Sequence, residues 1–335
     1  MSVNAKSYEV PEQADWIDQG IVIGSGSNGA WDIRLGGMTS PSTVVKKNGT
    51  FFLYYIGADG NRSTDKGPRH RALGVATSTD GINFIKYARN PILNYLPHKN
   101  EEEGIFSAGA TLDEQGNIVL YYAALDAGST VSESVNSDVR LAVSSNGFDF
   151  KDLGKVISHS DKKVWGYGDE LFPIGAFNAN GNYSVYYIAK GFNGIQWDLG
   201  IASGHGMKNL TITGPLLLSG SDVIGGGDPV YIENETIALF IVRGRNPNFV
   251  EVRTASINKT NNLSEPIVRY DNITTHNTIF LDKEINTWFM YYYDPDKNSI
   301  NVKTARSDYS EYDINRNGKI DLSDLISLIK KYLHF

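Results

Sequence analysis

Five short segments rich in aromatic and β-branched residues recur along the chain at wide intervals. They read FFLYY at 51–55, IVLYY at 118–122, YSVYY at 183–187, IALFI at 237–241 and WFMYY at 288–292. Each is followed by a second apolar segment: LGVATS at 73–78, LAVSS at 141–145, LGIAS at 199–203, VRTAS at 252–256 and VKTAR at 302–306. Because such residues favour pleated strands, both series predict paired β-strands.

A third segment follows the first four copies but not the fifth. The segment that matches it lies instead near the N-terminus, as ADWIDQGIVIG at 14–24. Tyr54 and Tyr121 are 67 residues apart, and the later steps are 65, 54 and 51 residues, lengths that suit four-stranded propeller blades. We therefore predict an all-β fold, a five-bladed β-propeller over residues 1–310 that an N-terminal strand closes in the last blade. The alternative is a β-sandwich with repetitive turns.

The innermost strand of each predicted blade should directly precede its aromatic strand. These inner segments span 35–45, 104–113, 168–177, 225–232 and 275–282. In a propeller the first residues of such strands meet at one mouth of the central channel. The charged residues at or just before these points are Asp32 and Arg34, Glu102 and Glu103, Asp169 and Glu170, Asp228, and His276.

Carboxylates that arrive from separate blades suit the cleavage of a glycosidic bond. That reaction needs an acid and a base or nucleophile, with carboxyl groups roughly 5–9.5 Å apart. Glu170 is the predicted general acid, because its apolar neighbours Trp165, Tyr167, Leu171 and Phe172 are typical of such an acid. Asp32, in a polar stretch beside Arg34, is the predicted base. The alternative for each is a solvated loop carboxylate or the partner of a nearby arginine.

Several aromatic and cationic side chains are predicted to bind the substrate around these carboxylates. Trp31, Trp165, Tyr167 and Trp197 could stack on sugar rings or could pack within the blades. The predicted substrate-binding residues are Trp31, Arg34, His70, Arg71, Trp165, Tyr167, Asp228, Arg243 and His276.

Composition excludes several other classes of function. The net charge is −7 without a basic block, which argues against nucleic acid as a partner. No apolar run approaches the ~20 residues that span a bilayer, and the absence of cysteine excludes thiolate chemistry. GSGSNG at 24–29 resembles a dinucleotide-binding fingerprint, but no helix start follows it, so no organic cofactor is expected.

The last part of the chain, residues 311–335, predicts a calcium-binding loop followed by one helix. Oxygen ligands stand at the EF-hand positions, with Gly318 at the sixth. The predicted calcium ligands are Asp313, Asn315, Asn317, Lys319 (through its carbonyl), Asp321 and Asp324. Leu322, Leu325, Ile326, Leu328, Ile329 and Leu333 then form an apolar stripe on the predicted helix.

Residues 14–310 resemble the five-bladed glycosidases of glycoside hydrolase family 43 and their relatives, the invertase-like fructosidases and mannoside phosphorylases. The resemblance rests on the five repeats, on the acids at the inner strands, and on the turns STDGINF at 78–84 and SSNGFDF at 144–150. It implies hydrolysis of a plant- or microbe-derived oligo- or polysaccharide, with Glu103 or Asp169 tuning the acid and base. The Asp-Pro of the invertase-like first blade is missing, and a non-catalytic carbohydrate-binding propeller and a glycoside phosphorylase are the alternatives.

The tail resembles one repeat of a dockerin, a module that docks enzymes onto cohesin scaffolds. Dockerins have two such repeats and this tail has one. The resemblance implies calcium binding, a cohesin-type scaffold as a partner and an extracellular location, although the first residues carry no signal peptide. Alternatively, the tail helix packs on the propeller.

Overall fold

The computed structural model describes residues 8–35, 40–59, 69–94, 102–126, 136–159, 170–190, 197–218, 224–233, 235–244, 248–271, 277–307, 322–323 and 325–327. Most of these residues are in β-strands. A single turn of 3-10 helix, Gln13–Asp15, precedes the first strand. No helix in this part of the chain is long and apolar enough to cross a membrane.

The first large sheet contains two consecutive sequence repeats. Its strands are β2 Arg34–Leu35, β3 Thr43–Lys47, β4 Thr50–Ala58, β5 Arg69–Ser78, β6 Ile85–Lys86, β7 Leu93–Asn94, β8 Glu102–Leu112, β9 Ile118–Asp126, β10 Asn136–Ser144 and β11 Lys151–Ile157. The two repeats are antiparallel sets that join where β5 and β8 pair in parallel over three residues, Arg69–Arg71 with Glu102–Gly104. The junction requires glycine at 104, which has φ +123° and lies against the Arg71 backbone.

The third and fourth repeats each form a four-stranded antiparallel sheet in sequence order. The strands of the third are β12 Leu171–Ala179, β13 Asn182–Lys190, β14 Trp197–His205 and β15 Thr211–Leu217. The strands of the fourth are β16 Ile224–Tyr231, β17 Thr236–Arg243, β18 Phe249–Ser256 and β19 Val268–Asp271.

The last sheet combines the two ends of the chain. Its order is β1 (Ile17–Gly24), β22 (Ser299–Arg306), β21 (Thr287–Asp294) and β20 (Asn277–Asp282). β1 pairs antiparallel with β22, from Ile17 opposite Thr304 to Gly24 opposite Ser299. The predicted pairing of the N-terminal segment with the last repeat is confirmed.

The five aromatic segments lie in β4, β9, β13, β17 and β21, and they are buried on both faces. Tyr54 and Tyr55 point to opposite faces, yet both are fully buried because a repeat packs on each side. Five buried clusters join consecutive repeats, and one of them joins the last repeat to the first by packing Phe51 against Phe289. The apolar core therefore consists of layers between neighbouring repeats.

One inner strand from each repeat surrounds a central cavity of about 390 Å³. These strands are β3, β8, β12, β16 and β20, and all five predicted inner segments overlap them. Thr43 Oγ1 accepts the Ala110 N–H at 3.1 Å, and Lys46 Nζ lies 2.7 Å from Asp282. These contacts join inner strands of adjacent repeats across the cavity wall.

The tail helix is described only at residues 322–323 and 325–327. Leu322, Leu325 and Ile326 are 71%, 52% and 45% exposed. The boundary predicted at residue 310 lies outside the described residues.

Candidate functional site

Glu170 directly precedes β12, the inner strand of the third repeat, and its side chain is only 8% exposed. Alternation along an extended segment places it on the same side as Phe172 and opposite Leu171. These two residues belong to different buried clusters: Leu171 packs with residues of the second and third repeats, and Phe172 packs with residues of the second, third and fourth repeats. Of the apolar neighbours predicted for Glu170, Phe172 therefore shares its side of the strand, whereas Leu171 packs away from it.

An aromatic stack connects the second and third repeats beside Glu170. Phe106 of β8 lies parallel to Phe172, with ring centroids 5.8 Å apart, and Phe172 stacks on Trp197 at 5.2 Å. The Arg71 guanidinium lies 3.8 Å from the centre of the Phe106 ring, a favourable cation–π contact. Arg71 and Trp197, two of the predicted substrate-binding residues, thus lie around this stack, whereas Phe106 was not among the predicted site residues.

Asp32 lies on the first sheet against β4, where a Cβ at Gly57 would approach the Asp32 Cβ within 2.6 Å. Its carboxylate contacts Lys86 Nζ of β6 at 2.6 Å and accepts a hydrogen bond from the Tyr55 hydroxyl at 3.3 Å. Asp32 is 4% exposed. The pKa of Tyr55 is raised mainly by the burial of its own hydroxyl and further by the negative charge of Asp32. The cation that contacts Asp32 is therefore Lys86, rather than the Arg34 that the sequence suggested. Arg34 begins β2 near Tyr293: burial raises the pKa of Tyr293, and the Arg34 charge opposes that rise.

Trp31 packs on the first sheet immediately before Asp32. Its ring stacks on Tyr55 at 5.6 Å and covers two glycines, Gly57 and Gly74. A Cβ at Gly57 would approach Trp31 Cζ3 within 2.5 Å. These contacts favour the packing role that the sequence left open for Trp31.

Asp228 lines the central cavity on β16. It is 6% exposed, and its Oδ2 accepts the Ile279 N–H of β20 at 3.0 Å. Burial raises the pKa of Asp228 well above the ordinary range, despite opposing hydrogen bonds from Ile279 and Thr278. Asp228 therefore bridges two inner strands and favours the neutral acid.

Arg243 is held within the fourth sheet. Its Nη1 lies 3.3 Å from both carboxylate oxygens of Glu251, and Glu251 also accepts Arg253 Nε–H at 2.8 Å. Glu251 is 5% exposed, so this cluster joins β17 and β18 from within.

The remaining predicted residues lack described side chains. Trp165, Tyr167, Asp169, His276 and all six calcium ligands lie outside the described residues. His70, Glu102 and Glu103 are placed only by their backbones, with His70 opposite Glu103 in the β5–β8 pairing. The structure thus places Glu170, Arg71 and Trp197 around the aromatic stack, Asp228 in the cavity wall, and Trp31 and Asp32 on the first sheet.

Sequence comparison finds no matching family model and no matching curated protein. Solved structures, however, match almost the whole chain. A glycosyl hydrolase from Bacteroides ovatus is 17% identical, with 91% of this chain and 99% of that chain covered and a TM-score of 0.61. A β-1,2-mannobiose phosphorylase from Listeria innocua, in complex with β-1,2-mannobiose, is 13% identical, with coverages of 89% and 96% and a TM-score of 0.59.

A third match comes from the GH130 family of mannoside phosphorylases, which contains glycoside hydrolases that target β-1,2-mannosidic linkages in Candida mannan. It is 16% identical, with coverages of 92% and 98% and a TM-score of 0.60. The chain has the fold of these carbohydrate-active proteins. Its several four-stranded sheets around a cavity are consistent with a β-propeller, while membership of family 43 stays a prediction.

Proposed function

We propose that the chain is a glycoside hydrolase that acts on a plant- or microbe-derived oligo- or polysaccharide, on a five-bladed propeller. The fold shared with glycosidases and phosphorylases supports a carbohydrate substrate. The blade count is supported by the five inner strands around one cavity and by the apolar layers between consecutive repeats.

The observation that carries the proposal is the position of Glu170. A buried carboxyl group stands at the start of an inner strand, on the side of the strand that faces the aromatic stack. Such a group can protonate the leaving oxygen of a glycoside while a second carboxylate acts as base or nucleophile. Asp32 is the second carboxylate of the proposal, and Glu103 or Asp169 would tune the pair.

The test is Glu170→Gln, assayed by release of reducing sugar across a panel of oligosaccharides. Loss of the proton donor should lower kcat by roughly 10²–10⁴-fold. Glu114→Gln is the control, because Glu114 is an exposed carboxylate in the turn between β8 and β9 and should leave kcat unchanged. Near-normal turnover by Glu170→Gln would remove Glu170 from the reaction.

A phosphorylase is the second candidate, favoured by the fold that the chain shares with the β-1,2-mannobiose phosphorylase and by the Arg71 guanidinium beside the aromatic stack, a cation able to hold phosphate. Inorganic phosphate can replace an activated water as nucleophile, so a phosphorylase needs fewer protein carboxylates. Turnover that depends on phosphate and releases a sugar phosphate would identify it.

A non-catalytic carbohydrate-binding protein is favoured by the contacts of Asp32, which Lys86 and Tyr55 already occupy. Oligosaccharide binding without hydrolysis or phosphorolysis across the panel would support this reading.

For the tail we propose one bound calcium ion, attachment to a cohesin-type scaffold, and an extracellular location. The ligand spacing of Asp313 to Asp324 and the exposed Leu322, Leu325 and Ile326 support the first two. Calorimetric titration of the full chain should show one calcium site, and Asp313→Ala should abolish it.

A further inference from the structure

Ser137 on β10 binds both backbone polar groups of one residue in the neighbouring sheet. Its Oγ accepts the Leu171 N–H at 2.7 Å and donates to the Leu171 carbonyl oxygen at 3.1 Å. Ser137 is fully buried. A single hydroxyl therefore satisfies a donor and an acceptor that would be costly to leave unpaired in a buried place.

The contact stands at the free edge of β12. β12 is the first strand of its sheet and pairs with β13 on one side only, so alternate residues direct their N–H and C=O away from the sheet. Leu171 faces Ala189 in the ladder, yet its polar groups bind Ser137. The side chain from the second repeat thus takes the place of a strand partner at the first residue of β12.

Leu171 is covalently next to Glu170, so the contact also restrains the backbone that carries the Glu170 carboxyl. On one face of the strand, the Phe172 side chain is held between Phe106 and Trp197. The start of β12 is therefore restrained by backbone hydrogen bonds at its edge and by aromatic packing on one face. A misplacement of about 1 Å can lower the rate by around 10²-fold, because proton transfer requires a set geometry.

We infer that Ser137 is the positioning residue for Glu170, holding the start of β12 in place through the Leu171 backbone. The catalytic consequence rests on the proposed function, whereas the restraint on Leu171 does not. Ser137 does not touch the reacting atoms in this arrangement; it acts through the neighbouring peptide.

The experiment compares Ser137→Ala with Ser144→Ala. Both are buried serines of β10, but Ser144 lies seven residues further along, about 24 Å away at ~3.4 Å per residue, and binds the Gly147 N–H of the following turn at 2.9 Å. We expect both variants to lower the melting temperature, but only Ser137→Ala to lower kcat, by about 10- to 100-fold with KM changed much less.

Glu170→Gln separates positioning from general damage. If Ser137 acts through Glu170, adding Ser137→Ala to Glu170→Gln should cause little further loss of kcat, because the carboxylic acid that Ser137 positions is already absent. An unchanged kcat for Ser137→Ala, or losses that multiply in the double variant, would overturn the inference.

Hydrogen exchange distinguishes this failure from failure of the proposed function. Should the wild-type chain cleave no glycoside with or without phosphate, the proposed function fails and the restraint can still be measured. The Leu171 amide should then exchange at least 10-fold faster in Ser137→Ala than in Ser144→Ala. Equal exchange in the two variants would show that Ser137 does not hold the start of β12.

Discussion

Replacing Lys86 by methionine removes the cation that contacts the Asp32 carboxylate 2.6 Å away. The Asp32 side chain is 5% exposed and that of Lys86 is 33% exposed, so the variant leaves a buried carboxylate with the Tyr55 hydroxyl, whereas methionine keeps most of the apolar stem. Breaking a fully buried pair costs about 3–5 kcal/mol, and exposed pairs contribute ~0–1 kcal/mol. Because Lys86 is partly exposed, we expect a loss of about 1.5–3 kcal/mol in the free energy of unfolding.

The assay is calorimetry at pH 7 together with sugar release. With an unfolding entropy of ~2.1 cal/mol/K per residue, a loss of about 2 kcal/mol in a chain of 335 residues lowers the melting temperature by about 3 °C. Asp32→Asn should cost less, since Lys86 can turn to water, and the double variant should recover part of the loss of Lys86→Met. Lys297→Met is the control, because the Lys297 side chain is 57% exposed in its 3.0 Å pair with Asp294, whose side chain is 17% exposed.

Two outcomes would refute this reasoning. If Lys86→Met were no less stable than Lys297→Met, the buried carboxylate would not depend on its cation. If Asp32→Asn lost as much stability as Lys86→Met, the unpaired buried carboxylate would not be the cause of the loss.

Three further predictions concern Asp228, Gly104 and the first strand. Asp228 has a raised pKa, so its contribution to stability is present at low pH and is lost as the pH rises through the folded-state pKa; urea unfolding should show Asp228→Asn more stable than wild type at pH 8, with no advantage near pH 4. Gly104→Ala should cost several kcal/mol more than Gly154→Ala, measured by the same method, because both have positive φ but only Gly104 lies against backbone. Deleting residues 1–24 leaves β22 with an unpaired edge, so light scattering should detect association; a monodisperse variant would contradict this.

The strands were predictable because their signal is local. The aromatic segments can be recognised by their composition. The segment at 14–24 matches the one missing from the last repeat, and this predicts the observed pairing of β1 with β22. The parallel contact between β5 and β8 was not predictable, because it depends on a close approach at Gly104 that spacing does not encode. Likewise Arg34 was the obvious partner for Asp32 in sequence, but folding brings Lys86, 54 residues later, to the carboxylate.

The candidate site was predictable in its residue types more than in its contacts. Glu170 stands where the repeat predicted an acid, since the start of an inner strand can be located from the aromatic strand that follows. The contacts of Ser137 and Phe106 with its neighbours join different repeats, so no periodicity along the chain could reveal them. Asp228 was predicted to bind substrate, and in the structure its carboxylate links β16 to β20.

Because β1 completes a sheet whose other strands come from the end of the chain, synthesis order constrains assembly. During translation the segment Ile17–Gly24 must wait for a partner that emerges about 280 residues later, while the sheets between them can already form. Contacts of such long sequence separation are formed slowly. The pairing of β1 with β22 should therefore form after the sheets between them. Until β22 has emerged from the ribosome, the unpaired β1 should remain accessible to chaperones and proteases.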